Sequence, residues 1–301
     1  MKTLVTGGTG FVGRRLLSKL QNPGVVTRNA ARTRASLGES LGKVLEWDLA
    51  ARSRELDEQY DYRSVVNLMG ESIAEGRWTE EKKKRIRDSR VLGTRNLVDS
   101  LIQSGRLPEV FVSASAVGFY GNPGNEVVTE EDEVGEGFLP DVCQEWENEA
   151  LRISEHGVRV VLIRIGIVLG KDGGALEKML PLFRWGLGGK LGDGQQWMPW
   201  IHVEDLVEMI VWAMNTNDVS GPLNGVAPDP VRNIDFTRGL AEAVGRPAFL
   251  PAPKFGLRLA LGEFAESLFF SQRVVPDKAL AKGFEFRFPD LDSALKEIVS
   301  R

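Results

Sequence analysis

A chain of 301 residues with 42% hydrophobic content is long enough for one large core and a smaller appendage. Its 38 basic and 42 acidic residues leave a formal charge of −4 with no basic block, which argues against nucleic acid or a membrane surface as partner. One cysteine and two histidines exclude an internal disulfide and a metal cluster built on several thiolates or imidazoles. The opening "MKTLVTGGTG" breaks into glycine too early for a secretion signal. The apolar run "VRVVLIRIGIVLG" is interrupted by Arg164 and falls short of the roughly 20 residues a spanning helix needs. A cytoplasmic location is expected.

In chain order, Lys2 to Thr6 reads as a short buried strand and Phe11 to Leu20 as a helix whose Val12, Leu16, Leu17 and Leu20 share one face. Strand-like runs follow at Val25 to Thr27, Val44 to Trp47, Ser64 to Leu68, Val110 to Ser113 and Val158 to Ile163, separated by helical stretches. This alternation predicts parallel strands with crossover helices, because a parallel connection needs about a dozen residues to return. Thr79 is placed to cap a long helix, with Glu80 and Glu81 in the first turn, where the helix dipole favours anions. Ile86, Leu97 and Leu101 carry its apolar side as far as Ser104 and Gly105, and its charge run "EEKKKRIRDSR" reads as a solvated face. Beyond Gly170 the pattern loosens into glycine and tryptophan, and helices are expected again from Asp235 to Val244 and from Lys254 to Phe269. The expected fold class is α/β, a doubly wound parallel sheet of the Rossmann type over residues 1–170, with 201–235 returning to it. A smaller substrate-side lobe is expected over 171–301, including the final segment 248–301.

"VTGGTGFVG" sets Gly7, Gly10 and Gly13 between the first strand and the first helix. The first glycine makes the turn, the second lets backbone approach a pyrophosphate, and the third lets helix pack on sheet; open N–H groups at the helix start supply the positive field. Thr9, Phe11 and Val12 complete this cradle. At the end of the second strand a carboxylate would select NAD, but the chain reads "VVTRNAARTR". Thr27 offers a hydroxyl and Arg28 a bidentate fork for a 2′-phosphate, with Arg32 and Arg34 either adding field or lying on the surface. NADP is the expected cofactor, ahead of NAD. Asp48 and Leu49 in "EWDLA", and Leu68, Met69 and Gly70 in "NLMGE", are either walls of an adenine and ribose pocket or plain strand ends.

The segments "TGGTGFVG", "SRVLGTRNL", "SASAVGFYG", "LIRIGIVLG", "WIHVEDL" and "PLNGVAPDPV" follow one another as in extended short-chain dehydrogenase/reductases of the sugar-nucleotide epimerase type, which this chain resembles. "RWTEEKKKRIRDSR", "DVCQEWENEA", "GLGGKLGDGQQWMPWIH" and the C-terminal segment from "LPAPKFGLRLALGEF" onward are similar to the atypical YfcH-like branch, over nearly the whole chain. The resemblance implies an N-terminal NAD(P)-binding domain and a C-terminal substrate lobe.

The chain departs from that pattern where the chemistry should lie. Members carry Tyr-x-x-x-Lys on the helix after the fifth strand; here Leu139 stands at the tyrosine position and Cys143 at the lysine position, while Glu147 matches the glutamate that often follows. Tyr120 belongs to the preceding loop, which the resemblance implies lines the substrate pocket. A phenol is about one part in a thousand ionised at pH 7, so Tyr120 as an unassisted base costs roughly 4 kcal/mol, whereas as an acid it is already protonated. Reduction of a carbonyl, with Tyr120 donating the proton and Ser113 or Ser115 polarising the oxygen, is the expected direction. Cys143 reads either as an acid or nucleophile beside the nicotinamide or as a small apolar residue. Arg90, where extended members often have asparagine, reaches either a cofactor phosphate, a substrate anion or solvent. Arg164 is grouped with the cofactor residues because its charge interrupts an apolar strand beside the expected cleft. His202 reads as structural, and Trp185, Trp197 and Trp200 either stack on a flat or sugar-like ligand or pack in the core.

Two functions compete. One is an NADP(H)-dependent oxidoreductase or epimerase acting on a small polar molecule, nucleotide-linked in one version. The other is a non-catalytic NADP(H)-binding sensor. Either is expected as a monomer or as a homodimer paired through the long charged helix and the helix of Trp146, with no metal.

Overall fold

In this computed structural model, which describes residues 2–38, 41–54, 56 and 61–300, the central sheet is built from seven parallel strands. They are β1 (Thr3–Thr6), β2 (Gly24–Thr27), β3 (Val44–Glu46), β4 (Ser64–Asn67), β5 (Val110–Ala116), β7 (Arg159–Ile165) and β11 (Gly221–Gly225), in the order β11-β7-β5-β4-β1-β2-β3. Short pairs join β13 (Arg273–Val274) to β6 (Val127–Val128), β10 (Trp200–His202) to β8 (Ile167–Gly170), and β12 (Val231–Arg232) to β9 (Trp197–Met198). Against the large sheet lie α1 (Phe11–Lys19), α2 (Ala30–Leu37), α3 (Glu80–Ser104), α4 (Phe138–Leu151) and α6 (Val203–Asn215). The C-terminal part supplies α5 (Gly174–Arg184), α7 (Asn233–Val244), α8 (Lys254–Leu261), α9 (Phe264–Ser267), α10 (Asp277–Ala281) and α11 (Leu291–Val299).

Both faces of the sheet are covered, so its strands are apolar on both sides. Leu4 packs with Val26, Val65 and Phe111 beneath Leu97 and Leu101 of α3. Its neighbour Val5 turns the other way, to Val25, Val66 and Val112 under Leu16 of α1 and Leu206 and Ile210 of α6. Thr79 caps α3 by accepting from the Lys82 amide at 3.2 Å, and Gly105 ends it in the left-handed region at φ +66°.

The doubly wound sheet expected from the sequence is present, with local differences. The single helix expected over 254–269 is two, because Gly262 stops α8 at φ +65°. After the excursion through α5, the chain returns to the large sheet by α6 and by β11, an edge strand in which Pro222 has no N–H to offer. Among the described residues no helix is long and apolar enough to cross a membrane.

Candidate functional site

Strand order reverses between β1 and β4, and in a sheet of this type the crevice for a ligand opens at the carboxyl ends of such strands. Gly7 follows β1 at φ +67°, where a Cβ would stand 2.4 Å from the Leu68 carbonyl oxygen. A Cβ on Gly13 would stand 2.3 Å from the Gly7 oxygen. The turn is closed by the Gly10 amide donating to Gly7 O at 3.0 Å, and Arg14 Nε ties it down through Thr9 O at 2.8 Å. Gly10 is the cap of α1 and brings no side-chain acceptor, so the amides of the first turn stay available to an anion. The Phe11 ring packs on Gly170, Gly173 and Gly174, Val12 is half-buried, and Leu68, Met69 and the exposed Gly70 form the opposite rim. These residues fit a dinucleotide pyrophosphate: the backbone is laid bare where side chains would obstruct it.

At the outer end of this crevice Arg28 is exposed beside the end of β2, with no ion pair among the described residues. Thr27 is committed elsewhere: its hydroxyl shares a 2.8 Å hydrogen bond with Thr33 and accepts from the Asn29 amide at 3.3 Å. Glu46, at the end of β3, accepts from the Ala30 amide at 2.9 Å and so brings a carboxylate near Arg28 that sequence distance concealed. Asp48 is exposed and accepts from the Ala50 amide at 3.2 Å. Leu49 is buried in the core and only its carbonyl is in use, by Asn96.

The four candidate catalytic side chains are buried. Ser113 is fully buried, accepts from Asn67 at 3.2 Å and donates to Ala114 O. Ser115 donates to Glu147 at 2.6 Å. The Tyr120 hydroxyl donates to Asn224 Oδ1 at 2.7 Å and accepts from Arg164 at 2.9 Å. Its hydroxyl proton is thus directed at Asn224, a partner the motif alone does not announce. Arg164 joins it: 4% exposed, it pairs with Glu147 through two nitrogens at 2.9 and 3.0 Å and stacks on Phe119 at 3.5 Å. This network, with Glu130 accepting from the Asn224 amide at 2.8 Å, was visible in sequence only as a charge inside a strand.

Burial pushes the Tyr120 phenol from 10.0 to about 12 against the opposing Arg164 cation. Burial, with Glu147 nearby, pushes the Cys143 thiol from 9.0 to about 12. A thiol so placed stays protonated at neutral pH, and it packs with Val117, Phe119 and Tyr120. A raised acid binds its proton more tightly when folded, so its stabilisation is complete below pH 9 and is lost as pH rises toward 12. The urea midpoint should fall across that window, and fall less steeply in Cys143→Ala. Parallel curves for the two proteins would refute the assignment.

The tryptophans divide. Trp200 is 1% exposed and belongs to the C-terminal core. Trp185 is 81% exposed. Trp197 is half-buried, with Arg232 and Arg273 each 4.7 Å from its ring, and donates to Asn125 at 3.1 Å. His202 caps α6 by accepting from the Glu204 amide at 3.2 Å and lies 3.3 Å from Glu297, while burial holds it below its ordinary value. Among the described residues, no group of three or more His, Cys, Asp or Glu is placed to hold a metal ion.

Comparison with known proteins fits this geometry. The NAD dependent epimerase/dehydratase family matches residues 3–224, and a domain of unknown function (DUF1731) matches 252–298. The chain is 41% identical to the chloroplastic epimerase family protein SDR39U1 homolog of Arabidopsis thaliana, over 99% of this chain and 87% of that one. It is 36% identical to epimerase family protein YfhF of Bacillus subtilis, over 100% and 98%. The crystal structure of human epimerase family protein SDR39U1 (isoform 2) with NADPH superposes with a TM-score of 0.89 at 34% identity, covering 100% of both chains. The Thermus thermophilus UDP-glucose 4-epimerase complex with NAD, at 20% identity and TM-score 0.78 over 100% and 98% of the chains, shares the fold. With a family match across most of the chain and relatives alike over nearly its whole length, this protein belongs to the NAD dependent epimerase/dehydratase family, in its atypical SDR39U1-like branch.

Proposed function

We propose that this chain binds NADP(H) and exchanges a hydride with a small polar molecule held between the large sheet and the C-terminal lobe. The observation that carries the reading is the uncapped start of α1 above Gly7 and Gly13, with Arg28 exposed at the end of β2. The human relative crystallised with NADPH supports the same choice of cofactor. In this reading the first-turn amides hold the pyrophosphate, and Arg28 takes the 2′-phosphate with its planar fork. NADPH, when bound, supplies the hydride. Leu68, Met69 and Gly70 shape the wall beside it, and Glu147 and Arg164 hold the floor rigid from below. Asn224 and Arg164 keep the Tyr120 proton inside, so the proton a reduced substrate needs comes from the substrate side or from water.

Arg28→Ala should weaken NADPH binding about tenfold to a hundredfold and leave NADH nearly unchanged, because a charge-assisted contact to a phosphate is lost. Calorimetric titration of both nucleotides checks this; an equal loss for the two would sink the 2′-phosphate assignment. The inward-turned Ser113, Ser115, Tyr120 and Cys143 favour a second reading, an NADP(H)-binding protein without turnover. Single-turnover absorbance at the nicotinamide band against a carbonyl library separates the two: consumption of NADPH supports transfer, and tight binding with no consumption supports the second.

A further inference from the structure

The C-terminal lobe carries a second hollow, and none of the residues lining it belongs to the phosphate turn or to the rim at Leu68, Met69 and Gly70. Its volume is about 630 Å³, inside the roughly 300 to 1,000 Å³ of small-molecule sites. The floor is one stripe of α7, on which Ile234, Thr237, Ala241 and Gly245 recur at helical spacing. At the rise of an α-helix that stripe is roughly 16 Å long, so the hollow is a groove. Its other wall is the segment after α7, tied to residues 188–190 by the Leu250 amide on Gly188 O at 3.3 Å and the Ala252 amide on Lys190 O at 2.9 Å. These bonds hold the groove open in advance. Phe249 stands on this wall with its side chain largely in water, 75% exposed. Thr237 in the floor is buried and its hydroxyl has no hydrogen-bond partner, so nothing in the chain bridges to it from the opposite wall.

The charges along the groove are uneven. Lys190 and Arg246 both line it and have no ion pair among the described residues; Lys190 Nζ donates to the Asp193 carbonyl at 3.2 Å. Arg238 is already bound to Asp235 at 2.8 Å, and Glu242 is the carboxylate among the lining residues. A purely ionic ligand would leave Phe249 and the α7 stripe wet, and a purely apolar one would lay hydrocarbon against unpaired cations. A molecule with an apolar body and an anionic head satisfies both. The two cations are not equivalent. Arg246 follows the C-terminus of α7, where its charge offsets the negative end of the helix dipole and an anion is disfavoured. Lys190 stands at the other end, since Cβ atoms built on Gly194 would touch both its stem at 3.2 Å and Ile234 at 3.0 Å. The head therefore goes to Lys190 and the body along α7.

We propose that this groove binds a single-chain amphiphile of the fatty-carboxylate class, its carboxylate at Lys190 and its chain laid along α7 beneath Phe249. The inference stands apart from the cofactor reading, and either can fail without the other. The full chain and its Lys190→Glu and Phe249→Ser variants are titrated calorimetrically with dodecanoate and with dodecyltrimethylammonium, which has the same chain and the opposite charge, both below their micelle concentrations. Wild type should bind dodecanoate saturably at one site and dodecyltrimethylammonium at least about tenfold more weakly. Lys190→Glu should weaken dodecanoate about tenfold or more and reverse the preference between the two heads, and Phe249→Ser should weaken both about tenfold through lost apolar contact. No saturable dodecanoate binding in wild type, or equal affinity for the two heads, overturns the proposal. So does wild-type dodecanoate affinity in both variants, because the amphiphile then sits elsewhere. If Lys190→Glu does not fold, Lys190→Gln decides, and undiminished dodecanoate affinity in that variant overturns the placement of the head and the proposal with it.

Discussion

Glu147→Ala will lower the unfolding free energy by about 3 to 5 kcal/mol, the range for removing one partner of a buried ion pair. The carboxylate and the Arg164 guanidinium have side-chain exposures of 6% and 5%, so neither has water to fall back on. Cutting back Glu147 leaves Arg164 with only the Tyr120 hydroxyl and the more distant Glu130 carbonyl as acceptors. It also strips Ser115 of its 2.6 Å acceptor. Glu147→Gln keeps much of the shape and the hydrogen bonding while removing the charge, so it should cost less. Urea denaturation of the three proteins measures the difference. A loss below about 1 kcal/mol for the alanine variant, the value of a surface pair, would mean that the buried network adds little to stability.

The second large effect is on binding. Gly13→Ala should leave no saturable NADPH binding up to about 1 mM, equivalent to an affinity poorer than about −4 kcal/mol. The added methyl would meet Gly7 O at 2.3 Å and Gly8 Cα at 2.8 Å, both backbone atoms, so the turn itself must move. Gly10→Ala provides the internal control. There the new Cβ would lie 3.2 Å from Gly7 O, a contact that a small shift relieves, and the loss should be smaller. Calorimetry on both variants tests the order; Gly10→Ala failing while Gly13→Ala binds normally would contradict the packing argument.

Much of the scaffold was legible because its signals are local. The period of the apolar residues gave β1 and α1, and a threonine before two glutamates gave the start of α3. The phosphate cradle was legible for the same reason, since Gly7, Gly10 and Gly13 fall within one seven-residue stretch between a strand and a helix. The floor of the crevice was not. Ser113 and Ser115 lie on β5 facing the side covered by α3 and α4, as their contacts with Asn67 and Glu147 show, and nothing within the strand announces which helix will cover them. The partners of Tyr120 come from 44 and 104 residues away, so its long-range bonds could not be read from the loop motif that the resemblance assigns to the substrate pocket. Trp200 and Trp197, three residues apart in one glycine-rich stretch, part company because only Trp200 points into the C-terminal core. Glu46 escaped notice because its proximity to Arg28 depends on the pairing of β2 with β3.

The sheet ends on one side at β3, three residues long, and on the other at β11, which carries Pro222. A brief margin and a missing donor give a foreign strand little to zip onto. Growth of the sheet from molecule to molecule is thereby discouraged at both borders.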